Sequence, residues 1–125
     1  MTWETIDCIE RHKEHPDTFE IPTESDIAAV KVGDFCKLIW EATNPSDSDD
    51  FGGERMWVRV TRIGEMRWQG EEPIKLFVGE LDNEPVVVTN LLLGELVTFE
   101  PKNIASIMEN DAMAKLAGPG AVMLP

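Results

Sequence analysis

The chain has 125 residues, and its 24 acidic against 11 basic side chains give a formal charge of −13. That length fits one domain spanning 1–125, and a hydrophobic content of 42% is enough for a modest core. The charge argues against binding nucleic acid through its phosphates, which requires clustered Lys and Arg, and against docking on an anionic membrane leaflet.

The N-terminal region is predicted to be helical. Trp3, Ile6 and Ile9 are spaced three apart, which predicts a helix over residues 2–14 with one apolar face. Pro16 ends this helix, because a proline pushes the residue before it out of the α region. A capping-box pattern at Thr23–Asp26 predicts a second, short helix.

From residue 32 onward the apolar period changes from helical to alternating. Within Phe35–Glu41 the alternate residues Cys36, Leu38 and Trp40 are all apolar, and Arg55–Ile63 is the clearest strand, with Met56, Val58 and Val60 on one face. Further strands are predicted at Met66–Trp68, Ile74–Leu81, Val86–Thr89 and Glu95–Glu100, with a loop over residues 44–53, turns at Gln69–Pro73 and Asp82–Pro85, and a short helix at Ala112–Ala117.

These elements predict an α+β fold. Its centre is a small, strongly bent antiparallel β-sheet or partly open β-barrel of about five to six strands, with the N-terminal helix packed on it. The core covers residues 19–108, and residues 109–125 form a C-terminal tail. Two segments, Val32–Leu38 and Leu93–Phe99, resemble each other position for position, and each is interpreted as a glycine turn that leads into a strand.

Metal sites are the first kind of chemistry to consider. Cys8, His12 and His15 stand at helical spacing and could hold zinc, but His15 precedes a proline and the alternative is a solvated helix face. Asp47–Gly52 begins like a calcium loop, although Val58 stands where the bidentate Glu should close the site. We therefore expect no metal and no other cofactor.

Catalytic signatures are also missing from the sequence. There is no G-x-S-x-G motif, and Gly52-Gly53 is followed by Glu54 rather than by the Lys and Ser or Thr of a phosphate-binding loop. The two cysteines have no C-x-x-C spacing, and the N-terminus has neither a basic start nor an apolar stretch. These observations predict a non-enzymatic cytoplasmic protein with reduced thiols and no catalytic residues.

The strand phases predict an exposed apolar patch. With Val58 facing inward, Trp57 points outward between Arg55 and Arg59, and an inward-facing Ile74, Leu76 and Val78 would leave Phe77 outside. A patch of Trp57, Phe77 and Ile39 edged by arginines has the composition of a protein-binding hot spot. The alternative is that the N-terminal helix covers it. With the turn at residues 82–85 as a second anchor, the predicted partner-binding residues are Arg55, Trp57, Arg59, Phe77, Asp82, Asn83 and Glu84.

Four motifs resemble, in order, a bacterial domain-of-unknown-function family of YegJ type: Val32–Glu41, Glu54–Val60, Gly79–Pro85 and Gly94–Pro101. The resemblance covers about Phe19 to Met108, and departs from the family in a longer Asp-rich loop before Glu54 and in the extra residues Gln69–Pro73. It implies a small bacterial cytoplasmic domain with no established activity. Some similar acidic domains are associated with bacterial conflict systems, where they would serve as immunity proteins.

The charge pattern favours a basic protein partner. No Lys or Arg occurs between Lys37 and Arg55 or between Lys75 and Lys102, so two long stretches are purely acidic and could steer such a partner. The leading prediction is an acidic binding protein that neutralises or regulates this partner, as an immunity protein or inhibitor does. The alternative is a small-molecule or peptide sensor that uses a cleft near Trp40 and Trp68. A hydrolase is a third hypothesis, and mimicry of DNA is a variant of the first.

Overall fold

A curled antiparallel sheet forms a half-barrel in the computed structural model, which describes residues 2–44, 47–88 and 90–110, and the side chains of residues 3–42, 53–88 and 90–110. The strand order is β1-β2-β3-β4-β5, and β6 also pairs with β2. The elements are β1 (Thr2–Thr5), α1 (Cys8–Glu14), α2 (Glu24–Ala28), β2 (Phe35–Asn44), β3 (Asp47–Met66), β4 (Ile74–Leu81), β5 (Leu96–Phe99), a 3₁₀ turn (Pro101–Asn103) and β6 (Ser106–Met108). The predicted α+β fold with a bent antiparallel sheet is confirmed.

Strand β2 is an interior strand of the sheet, and its backbone is paired on both sides. Strand β3 covers one edge, while β6 pairs with residues 35–37 and β1 with residues 40–43 on the other. Between these two strands, the N–H groups of Ala105 and Ile6 donate to the carbonyls of Lys37 (2.8 Å) and Ile39 (3.0 Å). Two chain segments that are distant in sequence therefore share one strand edge and close the sheet.

The inner face of the half-barrel carries the main core. The alternation predicted for β2 and β3 is confirmed, because Cys36, Leu38 and Trp40 and their counterparts on β3 are all buried. The core also takes further residues of β2 and β3 and residues from β4, β5 and the connecting segments: Val30, Ala42, Met56, Val58, Val60, Phe77, Leu81, Val88, Leu91, Val97, Phe99 and Ile104. Within the described residues, no helix is long and apolar enough to cross a bilayer.

The predicted orientation of β4 is wrong. Phe77, expected outside, is fully buried and its ring stacks on that of Phe99 with centroids 5.2 Å apart, whereas Ile74 is exposed. A register shift between Val60 and Arg62 separates the two paired stretches of β3 and β4. The extra residue reverses the side-chain alternation in the second half of β3. The orientation of β4 is set before this shift, because Leu81 and Gly79 pair with the buried Val58 and Val60, and Phe77 follows on the same face.

The predicted helix over residues 2–14 is wrong in its first part. Residues 2–5 form β1, which pairs antiparallel with β2, and Trp3 lies edge-on to Trp40 with ring centroids 6.4 Å apart. Helix α1 starts at Cys8, where the side chain of the N-cap Asp7 accepts the N–H of Glu10. Its predicted end before Pro16 is confirmed. If residues 2–5 were helical, the backbone groups of β2 at residues 40–43 would lose their hydrogen-bond partners on this edge.

The remaining predicted elements agree with the structure only in part. The capping box at Thr23–Asp26 and the helix that follows it are confirmed. The predicted loop over residues 44–53 is wrong, since β3 starts at Asp47. No separate strand forms at Met66–Trp68, because Met66 ends β3, and none forms over Val86–Val88. The helix predicted at Ala112–Ala117 lies outside the described residues.

Candidate functional site

The outer face of β2 and β3 brings the predicted Trp57 and its arginines together with Lys37. Lys37 is the direct cross-strand partner of Trp57, and its Nζ lies 4.9 Å from the centroid of the indole ring. Arg55 and Arg59 flank Trp57 along β3 on the same face. A cation over an aromatic face is attracted by the ring, and Trp57 is half-buried at the surface beside this cation.

The turn after β4 is bonded to the same position. The N–H of Asp82 donates to the carbonyl of Trp57 (2.9 Å), and the Asn83 side-chain oxygen accepts the N–H of Trp57. Asp82 and Glu84 are exposed. The side chain of Arg59 donates to Glu80 at 2.8 Å. The two anchors that the sequence suggested separately are therefore neighbours.

The predicted apolar patch does not form. Phe77 is in the core, and Ile39, although on the outer face, is only 8% exposed because Ile6, Cys8 and the 19–21 segment cover it. Of the three proposed patch residues, only Trp57 reaches the surface. N-terminal residues therefore do cover Ile39, but Ile6 lies in a turn and Cys8 in the first turn of α1, so the cover is not one helix face.

A groove of about 680 Å³ lies beside the Lys37–Trp57 pair. Its apolar lining comes from Ile39 and from side chains of three other segments, and two cations from the sheet, Lys37 and Arg55, also border it. One wall, residues 17–22, is fixed in part by His12, whose Nδ1 makes a 2.6 Å hydrogen bond with the carbonyl of Phe19. The full lining is Asp17, Thr18, Phe19, Glu20, Ile21, Pro22, Asp26, Ala29, Val30, Asp34, Lys37, Ile39, Arg55, Ala105, Ser106, Ile107 and Glu109.

Two of the five carboxylates that line the groove are used internally. Asp26 belongs to the capping box of α2. Asp34 is almost fully buried and accepts the backbone N–H groups of Lys31 (3.0 Å) and Asn110 (3.1 Å), with the Lys31 ammonium at 3.2 Å. Burial alone would raise the pKa of Asp34, but these hydrogen bonds and the ammonium outweigh it and hold the pKa below its ordinary value.

The remaining three carboxylates face the groove without such partners. Within the described residues, Asp17, Glu20 and Glu109 make no side-chain hydrogen bond or ion pair, and all three are exposed. Arg55 likewise has no ion pair there. The groove therefore offers an apolar lining and unpaired charges of both signs, with an excess of negative charge.

The structure does not assemble the zinc ligands considered for the helix. Cys8 is buried and its thiol donates to the carbonyl of Asn103 at 3.4 Å, while His12 is bonded to Phe19. Burial, with the negative charge of Asp7, raises the pKa of Cys8 to about 11. The part of the chain that is described contains no group of three potential metal ligands, and the side chains of the calcium-like segment 47–52 lie outside it.

The site proposed for a sensor does not form either. Trp40 is fully buried in the core, whereas Trp68 is exposed after the end of β3, so these two rings do not line one cleft. Among the residues that the structure describes, the indole N–H of Trp40 finds no hydrogen-bond partner.

Glu54 binds a distant backbone segment, a role that no sequence pattern indicates. Its carboxylate accepts the backbone N–H groups of Val86 (2.8 Å), Val87 (2.7 Å) and Val88 (3.0 Å). Burial alone would raise its pKa, but the three hydrogen bonds outweigh it, and the pKa of Glu54 lies below its ordinary value. The sequence shows three consecutive valines, Val86 to Val88, which predict a strand. No local pattern links these valines to residue 54.

Compared with protein-family models, with curated proteins and with solved structures, the chain has no significant match. The resemblance to a YegJ-type family therefore stays a prediction that depends on the four motifs alone.

Proposed function

We propose that this protein is a non-enzymatic binding protein that takes a basic segment of a protein partner in the groove beside Trp57. The observation that carries the proposal is the groove's combination of an apolar lining with three carboxylates that have no partner in the described part of the chain, Asp17, Glu20 and Glu109. Apolar side chains of a segment would fill the lining, and its Lys or Arg side chains would meet these carboxylates. Occupation of its basic segment would then neutralise or regulate the partner, as an inhibitor or immunity protein does.

A polypeptide fits this groove better than a uniformly cationic ligand. Arg55 and Lys37 place positive charge on the sheet side, where a carboxylate of the bound segment would be accepted. Trp57 lies next to Lys37 and provides an aromatic surface. Tryptophan is one of the residue types enriched at interface hot spots. Fixed charges of both signs would also set the orientation of the segment.

The experiment compares the full chain with a groove variant. Wild type and Asp17→Asn/Glu20→Gln are immobilised side by side, proteins are captured from native cells, and each captured protein is purified and titrated by calorimetry at about 50 and 300 mM salt. We expect a basic partner whose affinity falls at the higher salt concentration and falls by about tenfold in the variant. The control is Glu65→Gln, which removes an exposed carboxylate from the far end of β3.

Equal affinity for wild type, groove variant and control would contradict the proposal. Binding without salt dependence would contradict its electrostatic part. The unmodified Trp57 should change fluorescence on binding, and Trp57→Phe removes that signal while leaving the other three tryptophans.

A small-molecule ligand is the second candidate, because a volume of about 680 Å³ lies in the range typical of small-molecule sites. A metabolite screen that uses the Trp57 fluorescence as its readout distinguishes a small-molecule ligand from a protein partner. A compound that binds tightly in a 1:1 complex, in the absence of any basic protein partner, would favour the sensor. The reduced interior of the cell remains the proposed location, which is supported by two free, buried thiols, Cys8 and Cys36.

A further inference from the structure

Three leucines near the start of β5 are strongly exposed. Leu92, Leu93 and Leu96 have 69%, 57% and 63% of their surface accessible. We call these three residues the leucine patch. Single exposed leucines are common on protein surfaces, but three within five residues of one segment are typical of an interaction surface.

The leucine patch is held rigidly rather than left at the tip of a loose loop. The N–H of Gly94 donates to the carbonyl of Leu81 (2.8 Å), and the N–H of Leu81 donates to the carbonyl of Glu95 (2.9 Å). The N–H of Leu92 donates to the side chain of Glu95. Gly94 has φ +87°, which a residue with a side chain rarely adopts. These bonds fix the turn to β4, so the leucines stay exposed instead of folding back on the core.

The same turn structure also occurs at Lys31–Asp34, where it includes a lysine. In Lys31–Asp34, Gly33 (φ +99°) donates to the carbonyl of Val60, and the carbonyl of Asp34 accepts the N–H of Val60. The sequence similarity of these two segments therefore reflects one turn structure, as predicted. In that turn a lysine stands at the first position and neutralises the acid that follows the glycine.

In the turn of the leucine patch, Leu92 takes the place of that lysine. Glu95 is exposed and has no cationic partner within the described residues. Asp82, directly after the Leu81 that anchors the turn, is also exposed, and no Lys or Arg occurs over residues 76–101. The leucine patch therefore has carboxylates and no cation from its own chain segment beside it.

We propose that the leucine patch is a second docking surface, separate from the groove, for a basic amphipathic segment of a protein. Leucines of this segment would cover the patch, and its Lys or Arg side chains would pair with Glu95 and Asp82. A second copy of this chain would place the same carboxylates opposite each other, and an anionic leaflet would be repelled by them. Charge complementarity therefore favours a cationic protein segment over both.

The probe is a labelled 18-residue helical peptide with leucines on one face and lysines on the other. A peptide of the same composition in scrambled order, which has no apolar face, serves as the probe control. Binding to the full chain is measured by fluorescence anisotropy at two salt concentrations. We expect the amphipathic peptide to bind, the scrambled peptide to bind at least tenfold more weakly, and high salt to weaken the binding.

The test variant is Leu92→Ser/Leu93→Ser, which changes exposed side chains only and should leave the thermal melt unchanged. We expect it to weaken peptide binding by about tenfold. The matched control is Val32→Ser in the twin turn, because Val32 is 58% exposed, as Leu93 is 57% exposed, but follows Lys31. This control should bind like wild type.

Equal binding of the two peptides, or an equal loss in both variants, would overturn the proposal. A dimer in sedimentation equilibrium that the leucine variant dissolves would assign the patch to a second copy instead, and binding to neutral or anionic vesicles would assign it to a membrane. Because the groove is itself proposed to take a basic segment, the leucine variant is also measured in the Asp17→Asn/Glu20→Gln background, where its tenfold loss should persist. Failure of the groove proposal and failure of this one are therefore distinguishable.

Discussion

Glu54 tests how much the bonds between β3 and the segment after β4 contribute to the stability of the half-barrel. The side chain ties the segment 86–88 to β3 through three backbone N–H groups at 2.7–3.0 Å. In Glu54→Gln the amide keeps one acceptor oxygen, which can still serve Val87 and Val88, but it presents an NH₂ group to the N–H of Val86. Two charged hydrogen bonds become neutral and a third is lost.

The magnitude follows from these three bonds. A hydrogen bond to a charged group contributes about 1.5–3 kcal/mol and a neutral one about 0.5–1.5 kcal/mol. Since the Val86 bond is exposed, the main loss comes from the two part-buried bonds, and we expect Glu54→Gln to lower the free energy of unfolding by about 2 kcal/mol. With a typical urea m-value for a small domain, this lowers the denaturation midpoint by about 1 M.

The assay is urea denaturation followed by tryptophan fluorescence and circular dichroism. The matched control is Glu80→Gln, which removes one partner of an ion pair whose side chains are 43% and 44% exposed, and should lower stability by less than about 1 kcal/mol. Equal midpoints for the two variants would refute the reasoning, because the hydrogen bonds of Glu54 would then contribute no more than an exposed ion pair.

The pH dependence gives a second readout of the same variant. The folded-state pKa of Glu54 lies below its ordinary value, so its contribution is present in full above the unfolded pKa of about 4.3 and is lost as the pH falls through the folded pKa. The stability difference between wild type and Glu54→Gln should therefore be constant near pH 7 and shrink below about pH 4.3. A difference that grows on acidification would contradict this sign.

Three further predictions concern the core. Gly79→Ala should lower stability by about 1–3 kcal/mol, because a Cβ there would lie 3.0 Å from a side-chain carbon of the paired strand, whereas Gly64→Ala meets nothing within 4 Å and should be nearly neutral; equal midpoints in urea denaturation would contradict the packing. Phe77→Ala should lower the free energy of unfolding by about 3–5 kcal/mol, and a loss below about 1 kcal/mol would indicate that Phe77 points outward after all. Burial raises the pKa of Cys8 to about 11 and of Cys36 to about 12, so both should react with Ellman's reagent only after unfolding, and rapid reaction of the native protein would contradict this.

The errors in the sequence-based fold have identifiable physical causes. On β4 each alternate set of residues is mostly apolar but includes one charged residue, Glu80 in one and Lys75 in the other, so alternation alone cannot assign the inner face. The structure selects Phe77 and Leu81 because Gly79 between them sits under Val58, and the register shift on β3 is not visible as a pattern. By contrast, the faces of β2 and the first half of β3 were predictable, since only one alternate set is wholly apolar there.

The N-terminus shows the same limit for tertiary pairing. A spacing of three between Trp3 and Ile6 is compatible with a helix and equally with a strand followed by a turn. The free edge of β2 over residues 40–43 decides between them, and no local feature of residues 2–5 indicates that edge. The candidate site was predictable to a similar degree, because Trp57 and its neighbours were found from alternation, while the groove is assembled from four separate segments.

The net charge of −13 overstates what a partner would meet. Asp26, Asp34 and Glu54 accept backbone N–H groups, so their charge stabilises the fold and is largely compensated by amide dipoles. At physiological salt the Debye length is about 8 Å, and a remote carboxylate contributes little to a local contact. Electrostatic attraction of a basic segment therefore depends on the few exposed carboxylates beside each surface that have no cationic partner within the described residues. They include Glu20 at the groove and Glu95 at the leucine patch, which accepts one exposed N–H, from Leu92. Neutralising either should weaken binding at its own surface and leave the other unchanged, whereas an effect that followed total charge alone would be the same at both.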